Sequence, residues 1–197
     1  MLGLLALIIA YLLGAIPVGY LLVKLTTGKD VRASGSRNIG ATNVLRTTNR
    51  ALGVLTLVLD IGKGFLAAWS AALLTGDSPM WTSAAALAVI AGHAYPVFLG
   101  FKGGKAVASF IGAFLYVAPI PLLASLIVFA AVVAKTRYIS AGSIMAVASF
   151  PLAVWLISHP PHEVIVHTLI AAAFIVYRHK ENIGRIRAGT ENVFKWK

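Results

Sequence analysis

The chain has 197 residues, of which 59% are hydrophobic and 12% are charged, and its formal net charge is +11. An average soluble domain contains about 25% charged residues, so this composition excludes an ordinary water-soluble globule and predicts a membrane protein. The chain has no cysteine, which excludes disulfides, thiolate metal sites and an acyl-thioester enzyme intermediate.

Apolar runs suited to membrane helices follow one another almost from end to end. No linker, low-complexity tract or internal repeat separates them, so we expect one integral-membrane domain over residues 1–197. No Lys or Arg precedes Lys24, which is atypical of a signal peptide and predicts a retained first helix. In chain order the runs are Leu2–Val23, Ala51–Leu74, Met80–Leu99, Ala106–Val117, Pro119–Ala134, Ser143–Ile157 and Val164–Tyr177.

The fourth and fifth runs together contain too few residues for two helices of full length. They fit either a single helix over 106–134 or a short hairpin that is broken at Pro119-Ile120-Pro121. A hairpin makes seven membrane helices, and alternate loops then fall on the same side. The loops that share one side are those around 24–50, 100–105, 135–137 and 178–197.

The distribution of Lys and Arg discriminates between these alternatives. With a hairpin, every Lys and Arg except Lys63 lies in the four loops of one side, whereas the opposite loops carry only Asp77 and Glu163 as charged residues. Cytoplasmic loops collect Lys and Arg, so we predict an all-α bundle of seven transmembrane helices, with the N-terminus outside and the C-terminus in the cytoplasm. This topology and attraction to anionic lipid headgroups are two ordinary explanations of the net charge, and an anion-binding site stays open beside them. We expect no nucleic-acid partner.

The first basic loop contains more than a topology signal requires. Residues 34–46 read SGSRNIGATNVLR, in which small, hydroxyl and amide side chains accompany the cations. Gly35 and Gly40 allow close approach of the backbone, and Arg46 can bind an oxyanion in bidentate fashion. We therefore expect a phosphate site here. Its neutral hydrogen-bonding groups would come from Ser36, Asn38, Thr42 and Asn43.

The second basic loop, residues 92–105, ends in FKGGK and leads directly into an apolar run. N–H groups and the partial positive charge at a helix start attract anions, and Lys105, with Gly103 and Gly104, could complete such a site. The segment is not a P-loop, because the spacing of GxxxxGK[ST] is missing. A flexible, lysine-bearing turn at the membrane surface is the alternative. His93 fits a packed, hydrogen-bonded residue at a helix end equally well.

Two further basic segments lie closer to the C-terminus. Residues 135–143 contain Ser143 and read either as part of an anion site or as an ordinary polar cap on the next helix. Residues 177–192 contain His179 and Asn182, which are three residues apart and therefore share one face of a helix. These segments extend the pattern of cations with hydroxyl and amide groups.

Asp60 and Lys63 interrupt the second apolar run. A charge at a bilayer centre costs roughly 2.5–3.5 kcal/mol on insertion scales, so both side chains should face protein rather than lipid. Two roles remain open: a structural ion pair that orients neighbouring loops, or direct substrate contact or proton handling.

Taken together and in this order, the segments resemble the bacterial acyl-phosphate-dependent glycerol-3-phosphate acyltransferases, an integral-membrane family. The resemblance covers nearly the whole chain. It is carried by GSRNIGATNVLR at 35–46, DIGKG at 60–64, GHAYPVFLGFKGGKAVAS at 92–109, RYISAGS at 137–143 and YRHKENIGRIRAGTEN at 177–192.

The resemblance implies transfer of a fatty acyl group from acyl phosphate to the 1-hydroxyl of sn-glycerol 3-phosphate, which gives lysophosphatidic acid and inorganic phosphate in the first committed step of phospholipid synthesis. It also implies an active site at the cytoplasmic face of the bacterial inner membrane, and no cofactor is expected. The sequence departs from the family pattern at Arg37 and Ala106, where the family often has glycine.

On this interpretation the segments converge at the inner leaflet in one pocket, and backbone N–H groups near Gly103–Lys105 stabilise the carbonyl oxyanion. A substrate phosphate accepts the hydroxyl proton, or His179 accepts it as a general base. The oligomeric state stays open, with a monomer among the options. The residues expected to align the phosphates are Arg46, Lys105, His179 and Asn182, with Ser36 and Ser143.

Four other site types fit the sequence less well. A transporter of organic phosphates would place its site near the membrane midplane and often shows internal repeats, which are absent here. A phosphatidyltransferase would need an array of metal-binding aspartates, but the three Asp residues are scattered at 30, 60 and 77. His159 and His162, in a predicted external loop with Glu163, lack further clustered ligands, so we expect no metal. The His-x₄-Asp pattern of another acyltransferase class is also absent.

Overall fold

The computed structural model describes residues 1–194, and their regular secondary structure is entirely helical. The chain divides into two compact units, Met1–Val117 and Ala118–Lys197. Two lysines that contribute to the predicted cytoplasmic charge, Lys195 and Lys197, lie outside the described residues.

The first unit contains six α-helices and two short 3₁₀ turns among its residues. The 3₁₀ turns, Val31–Ala33 and Val97–Leu99, lie in the first and second basic loops. The predicted apolar runs of this unit are helical apart from two interruptions at proline: Leu2–Val23 is broken before Val18, and in Met80–Leu99 the α-helix ends at Ala94, before Pro96. The first basic loop contains an additional short helix. The helices are α1 (Leu2–Ala15), α2 (Val18–Thr27), α3 (Ala41–Thr47), α4 (Arg50–Thr75), α5 (Pro79–Ala94) and α6 (Val107–Val117).

The prediction of one continuous helix over Leu2–Val23 is wrong in detail, because the run is interrupted between α1 and α2. Pro17 has no N–H group to continue the helical ladder, and it disfavours helical backbone at the preceding residue. Ile16 accordingly has extended backbone angles, φ −61° and ψ 113°. Carbonyl groups at the end of α1 are therefore left without helical partners.

Helix α4 is the centre of the first unit and packs against α1, α2, α3, α5 and α6. Its contact with α6 is close because glycines face backbone on both sides. A Cβ on Gly64 would clash with the carbonyl of Ser109, and a Cβ on Gly112 would clash with the carbonyl of Ile61. Small residues at such interfaces let membrane helices approach closely, which favours van der Waals packing where no hydrophobic effect acts between helices.

Up to residue 194, the second unit contains four helices, with α8 packed against α7, α9 and α10. Two residues with left-handed backbone close helices in this unit: Arg137 (φ 58°) ends α7, and His159 (φ 42°) ends α8. His179 joins α9 directly to α10. The helices are α7 (Pro119–Thr136), α8 (Ile139–Ser158), α9 (His162–Arg178) and α10 (Lys180–Arg187).

Five helical stretches within residues 1–194 are long and apolar enough to cross a membrane. Helix α6, with 11 residues, and α9, with 17, are shorter. Residues 106–134 do not form a single helix, because α6 ends at Val117 and α7 begins at Pro119. Seven spans and the orientation of the termini stay a prediction. The five stretches are Leu2–Thr27, Arg50–Thr75, Pro79–Leu99, Pro119–Thr136 and Ile139–Ser158.

Candidate functional site

The first basic loop is organised around the side chain of Asn43, which is 1% exposed. Its Oδ1 accepts a hydrogen bond from the N–H of Ser36 at 2.8 Å. Its Nδ2 lies within 3.2 Å of the carbonyl oxygens of Val31, Ser34 and Asn38. The buried amide of Asn43 thus stabilises the conformation of the loop. It was predicted to bind substrate, but its polar atoms already have partners within the loop.

Two residues of this loop have left-handed backbone, Gly35 at φ 60° and Arg37 at φ 57°. A Cβ on Gly35 would clash with Oδ1 of Asn43, so glycine is required there for space as well as for conformation. Arg37 is one of the two positions where the resemblance leads us to expect glycine. Its left-handed φ gives the physical reason, since residues with a Cβ are strained in this region.

Helix α3 presents Thr42 and Arg46 on the same face, four residues apart. Thr42 is half-buried, whereas Arg46 is exposed. Ser36 and Asn38, nearby in the loop, are half-buried, and Oδ1 of Asn38 accepts a hydrogen bond from the N–H of Gly40 at 2.8 Å. The predicted anion-binding groups of this loop, other than Asn43, therefore lie at least partly at the surface.

Two glycines of the second basic loop form backbone hydrogen bonds with the end of α5. The N–H of Gly104 donates to the carbonyl of His93 at 3.0 Å, and the N–H of Gly103 donates to the carbonyl of Ala94 at 3.2 Å. The predicted oxyanion role therefore does not fit these two N–H groups, because each already donates within the protein. Lys105, which is half-buried, follows immediately and precedes α6.

The first and second basic loops meet at Gly104. A Cβ on Gly104 would clash with the imidazole of His93 and would lie 3.4 Å from Oδ1 of Asn38. Ala106, two residues later, has φ 63° and is 1% exposed. It is the second position where the resemblance leads us to expect glycine, and it also has left-handed backbone. Cations and amides predicted from separate parts of the sequence are thus brought together within one unit.

Asp60 and Lys63 are buried inside protein, 1% and 6% exposed, as the sequence predicted. Their side chains form an ion pair of 2.8 Å. Nζ of Lys63 also donates to the carbonyls of Gly14 at 2.9 Å and Ile16 at 2.8 Å, at the break between α1 and α2. The lysine therefore occupies acceptors that Pro17 leaves without helical partners.

In the second unit, His179 and Asn182 are 3% and 5% exposed. Nδ1 of His179 lies 2.8 Å from the carbonyl of Ile175, which can only accept, so Nδ1 carries a proton. In the neutral ring the lone pair then sits on Nε2. The hydroxyl of Ser143, 5% exposed, donates to the carbonyl of Ile139 within its own helix at 2.9 Å.

Glu191 lies in the C-terminal basic segment and is not among the site residues that the sequence predicts. Its carboxylate accepts hydrogen bonds from Nδ2 of Asn182 at 2.8 Å, Nε of Arg185 at 2.8 Å and Oγ of Ser140 at 3.1 Å. Burial alone would raise the pKa of Glu191, but these hydrogen bonds outweigh it and hold the pKa below its ordinary value. The available signal was an acid at the end of a strongly basic segment.

Three comparisons with known proteins bear on this arrangement. A family model described as glycerol-3-phosphate acyltransferase matches residues 4–189. The glycerol-3-phosphate acyltransferase of Geobacter sulfurreducens is 48% identical over 187 residues, 95% of each chain. That of Geobacter metallireducens is 50% identical over 186 residues, 94% of each chain.

Two solved structures share the fold. The crystal structure of PlsY (YgiH), an integral membrane glycerol 3-phosphate acyltransferase, in its glycerol 3-phosphate form has a TM-score of 0.92 at 41% identity, covering 98% of this chain and 96% of that one. The lysophosphatidic acid form has a TM-score of 0.89 at 40% identity, covering 98% and 95%. The chain is therefore a multi-pass membrane protein that belongs to the glycerol-3-phosphate acyltransferase family.

Proposed function

We propose that this protein transfers a fatty acyl group from acyl phosphate to the 1-hydroxyl of sn-glycerol 3-phosphate, giving lysophosphatidic acid and inorganic phosphate. Family membership supports acylation of glycerol 3-phosphate. One structural observation supports the phosphate chemistry: the loop that bears Arg46 meets the loop that bears Lys105, at Asn38 and Gly104. Two cations beside neutral donors suit a reaction in which both substrates bring phosphate.

The chemistry needs neither a covalent enzyme intermediate nor a metal. The 1-hydroxyl oxygen attacks the acyl carbonyl carbon, a carbon–oxygen bond forms, and the bond from that carbon to the phosphate oxygen breaks. Phosphate leaves with the electron pair, and the hydroxyl proton passes to a phosphate oxygen. Catalysis then consists of holding the two reactants together and neutralising their charge.

Within this proposal Arg46 and Lys105 bind phosphate, and Ser36, Asn38 and Thr42 supply neutral donors. Because the N–H groups of Gly103 and Gly104 donate to α5, we assign charge stabilisation in the transition state to the Lys105 ammonium instead. Asn43 is assigned to the architecture of its loop, since its amide bonds there. Ser143, His179 and Asn182 complete the proposed set.

Two versions of the proton transfer differ in the role of His179. If a substrate phosphate accepts the proton, His179 helps to orient substrate, and His179→Ala raises KM at least as much as it lowers kcat. If Nε2 of His179 is the base, the same variant retains normal substrate affinity and loses turnover. Binding of glycerol 3-phosphate, measured calorimetrically beside turnover, separates the two versions.

The donor is tested by supplying purified protein with acyl phosphate, acyl-carrier-protein thioester and acyl-CoA in separate reactions. We expect lysophosphatidic acid and a stoichiometric release of phosphate from acyl phosphate alone, without added metal. A reaction without glycerol 3-phosphate provides the control for phosphate that is released by hydrolysis of acyl phosphate. Equal activity with a thioester would overturn the donor assignment.

We further propose seven membrane spans in one functional domain, in the bacterial inner membrane, with the basic loops in the cytoplasm. The chain lacks cysteine, so single cysteines can be introduced directly into the native sequence. Cysteines at Thr47, Lys102 and Lys180 should react with a membrane-impermeant maleimide only after the inner membrane is opened. A cysteine at Ser78 should react from outside. The reverse reactivity at any of the three basic-loop positions would refute the topology.

A further inference from the structure

Four buried polar side chains from three helices form one connected cluster in the first unit: Asp60 on α4, His93 on α5, Ser109 on α6, and Lys63. None is more than 6% exposed. Oδ1 of Asp60 lies 2.8 Å from Nζ of Lys63 and 3.6 Å from Nδ1 of His93. The same Nδ1 lies 3.2 Å from Oγ of Ser109.

His93 connects this cluster to the second basic loop in two ways. Its carbonyl accepts the N–H of Gly104, and its imidazole lies so close to Gly104 that a Cβ there would clash with Nε2. The rotation of the imidazole therefore determines where the backbone of Gly104 can lie, and Lys105 is the next residue. The ring is in turn contacted on its other nitrogen by Asp60 and Ser109.

Charges at this location are not explained by packing. Replacing a buried ion pair by apolar residues of similar size is often neutral or stabilising, so hydrophobic side chains could fill the junction of α4, α5 and α6 equally well. The carboxylate of Asp60, 3.6 Å from Nδ1 of His93, and the hydroxyl of Ser109, 3.2 Å from the same atom, supply direction, because they restrict the rotation of the imidazole. Lys63 supplies the counter-charge that makes a carboxylate tolerable there, and the carbonyls of Gly14 and Ile16 hold that lysine.

We propose that Asp60 and Ser109 are positioning residues for Lys105: they fix the imidazole of His93, which holds the Gly103–Gly104 backbone that presents the lysine to phosphate. The inference rests on the proposed function of Lys105. It gives the buried ion pair a role in the reaction that is exerted through the loop, without contact between Asp60 and substrate.

The test compares the single variant Asp60→Asn with the double variant Asp60→Asn/Lys63→Met. The single variant leaves a buried lysine unpaired and loses both thermal stability and activity. The double variant removes that unpaired charge but also removes the donor to the carbonyls of Gly14 and Ile16, so its Tm should recover part of the loss. If Asp60 positions the imidazole, kcat/KM for glycerol 3-phosphate should stay about 100-fold below the wild-type value, mainly through KM.

Ser109→Ala provides a second test that unpairs no charge. We expect a several-fold rise in KM for glycerol 3-phosphate with little change in Tm. Thr82→Val is the matched control, because Thr82 is also buried, lies on the same helix as His93 but three turns away, and donates only within its own helix. It should keep wild-type kinetics.

The double variant and Ser109→Ala can each give a result that contradicts the inference. Recovery of both Tm and kcat/KM in the double variant would show that Asp60 serves only to neutralise Lys63, and the inference would be overturned. Wild-type kinetics of Ser109→Ala would overturn it as well if the double variant does not fold. Absence of acyl transfer from acyl phosphate by the wild-type protein would instead refute the proposed function.

Discussion

Glu191→Gln tests the cluster that holds Asn182. Glutamine keeps the shape of the side chain and one acceptor oxygen, but it replaces the oxygen facing Nε of Arg185 by an amide group that can only donate. The variant therefore loses one charge-assisted hydrogen bond at a side chain that is 5% exposed. Such bonds contribute roughly 1.5–3 kcal/mol, so we expect Tm to fall by about 5–10 °C.

The matched control is Glu181→Gln on the same helix, because Glu181 is exposed. Its Tm should change by about 1 °C or less. Activity of Glu191→Gln should fall as well, since Nδ2 of Asn182 loses a charged acceptor. Both variants are compared by thermal unfolding in one detergent and by initial rates. Equal Tm shifts in the two variants would refute the argument from burial.

The pH dependence of stability gives an independent check on Glu191. Its pKa is lowered in the folded protein, so the ionised carboxylate stabilises the fold fully at pH values above the ordinary Glu pKa of about 4.3. That contribution is lost as the pH falls through the lowered folded-state pKa. The Tm difference between wild type and Glu191→Gln should therefore be constant above about pH 5.5 and should shrink in more acidic buffer. A difference that grows on acidification would contradict the assigned sign.

Three further substitutions follow from the first unit. Ala106→Gly should raise the unfolding free energy by about 0.5–1 kcal/mol, because glycine relieves the left-handed strain at φ 63° at a smaller entropic cost; thermal unfolding measures it. Arg46→Ala should raise KM for glycerol 3-phosphate by about 10- to 100-fold through loss of a charge-assisted contact with phosphate. Gly104→Ala should lower kcat/KM by about tenfold or more, because the added methyl clashes with the imidazole of His93 and displaces the loop.

Each of these substitutions has a matched control in the same unit. Ala108→Gly, within helix α6, should lower stability where Ala106→Gly raises it. Arg50→Ala removes another exposed arginine, at the start of α4, and should leave KM unchanged. Gly62→Ala adds a methyl into open space and should retain activity. Parallel behaviour of any variant and its control would contradict the corresponding assignment.

Local features of the fold were predictable because a bilayer imposes them on each segment separately. A membrane helix must satisfy its own backbone and present apolar side chains to lipid, so its approximate limits can be recognised in a single run. The run Ala51–Leu74 corresponds to helix Arg50–Thr75, and Pro119–Ala134 to Pro119–Thr136. The break before Val18 was missed because uninterrupted hydrophobicity outweighed the one local signal, Pro17.

The residue types of the candidate site were also evident from the sequence, since cations recur in each basic loop and are accompanied by glycine, hydroxyl or amide groups. The contacts that each of these residues makes in the folded protein were not evident from the sequence. Asn43 and Ser36 are equally polar in the sequence, but only the folded loop shows that the amide of Asn43 bonds to several backbone groups around it. The N–H groups of Gly103 and Gly104 were expected to face substrate, and they donate to α5 instead.

The sequence by itself determined that this chain is a helical membrane protein whose cations gather in its basic loops, because hydropathy and charge act on each segment independently of the others. Only the tertiary structure decided which polar groups are bonded within the protein and to which partners. Asp60 finds partners on α4 and α5, and Glu191 is bound by groups from α8 and α10. The contacts of Asp60 with His93 and of Ser140 with Glu191 join residues far apart in the chain, and buried polar groups can be assigned only when their partners are known.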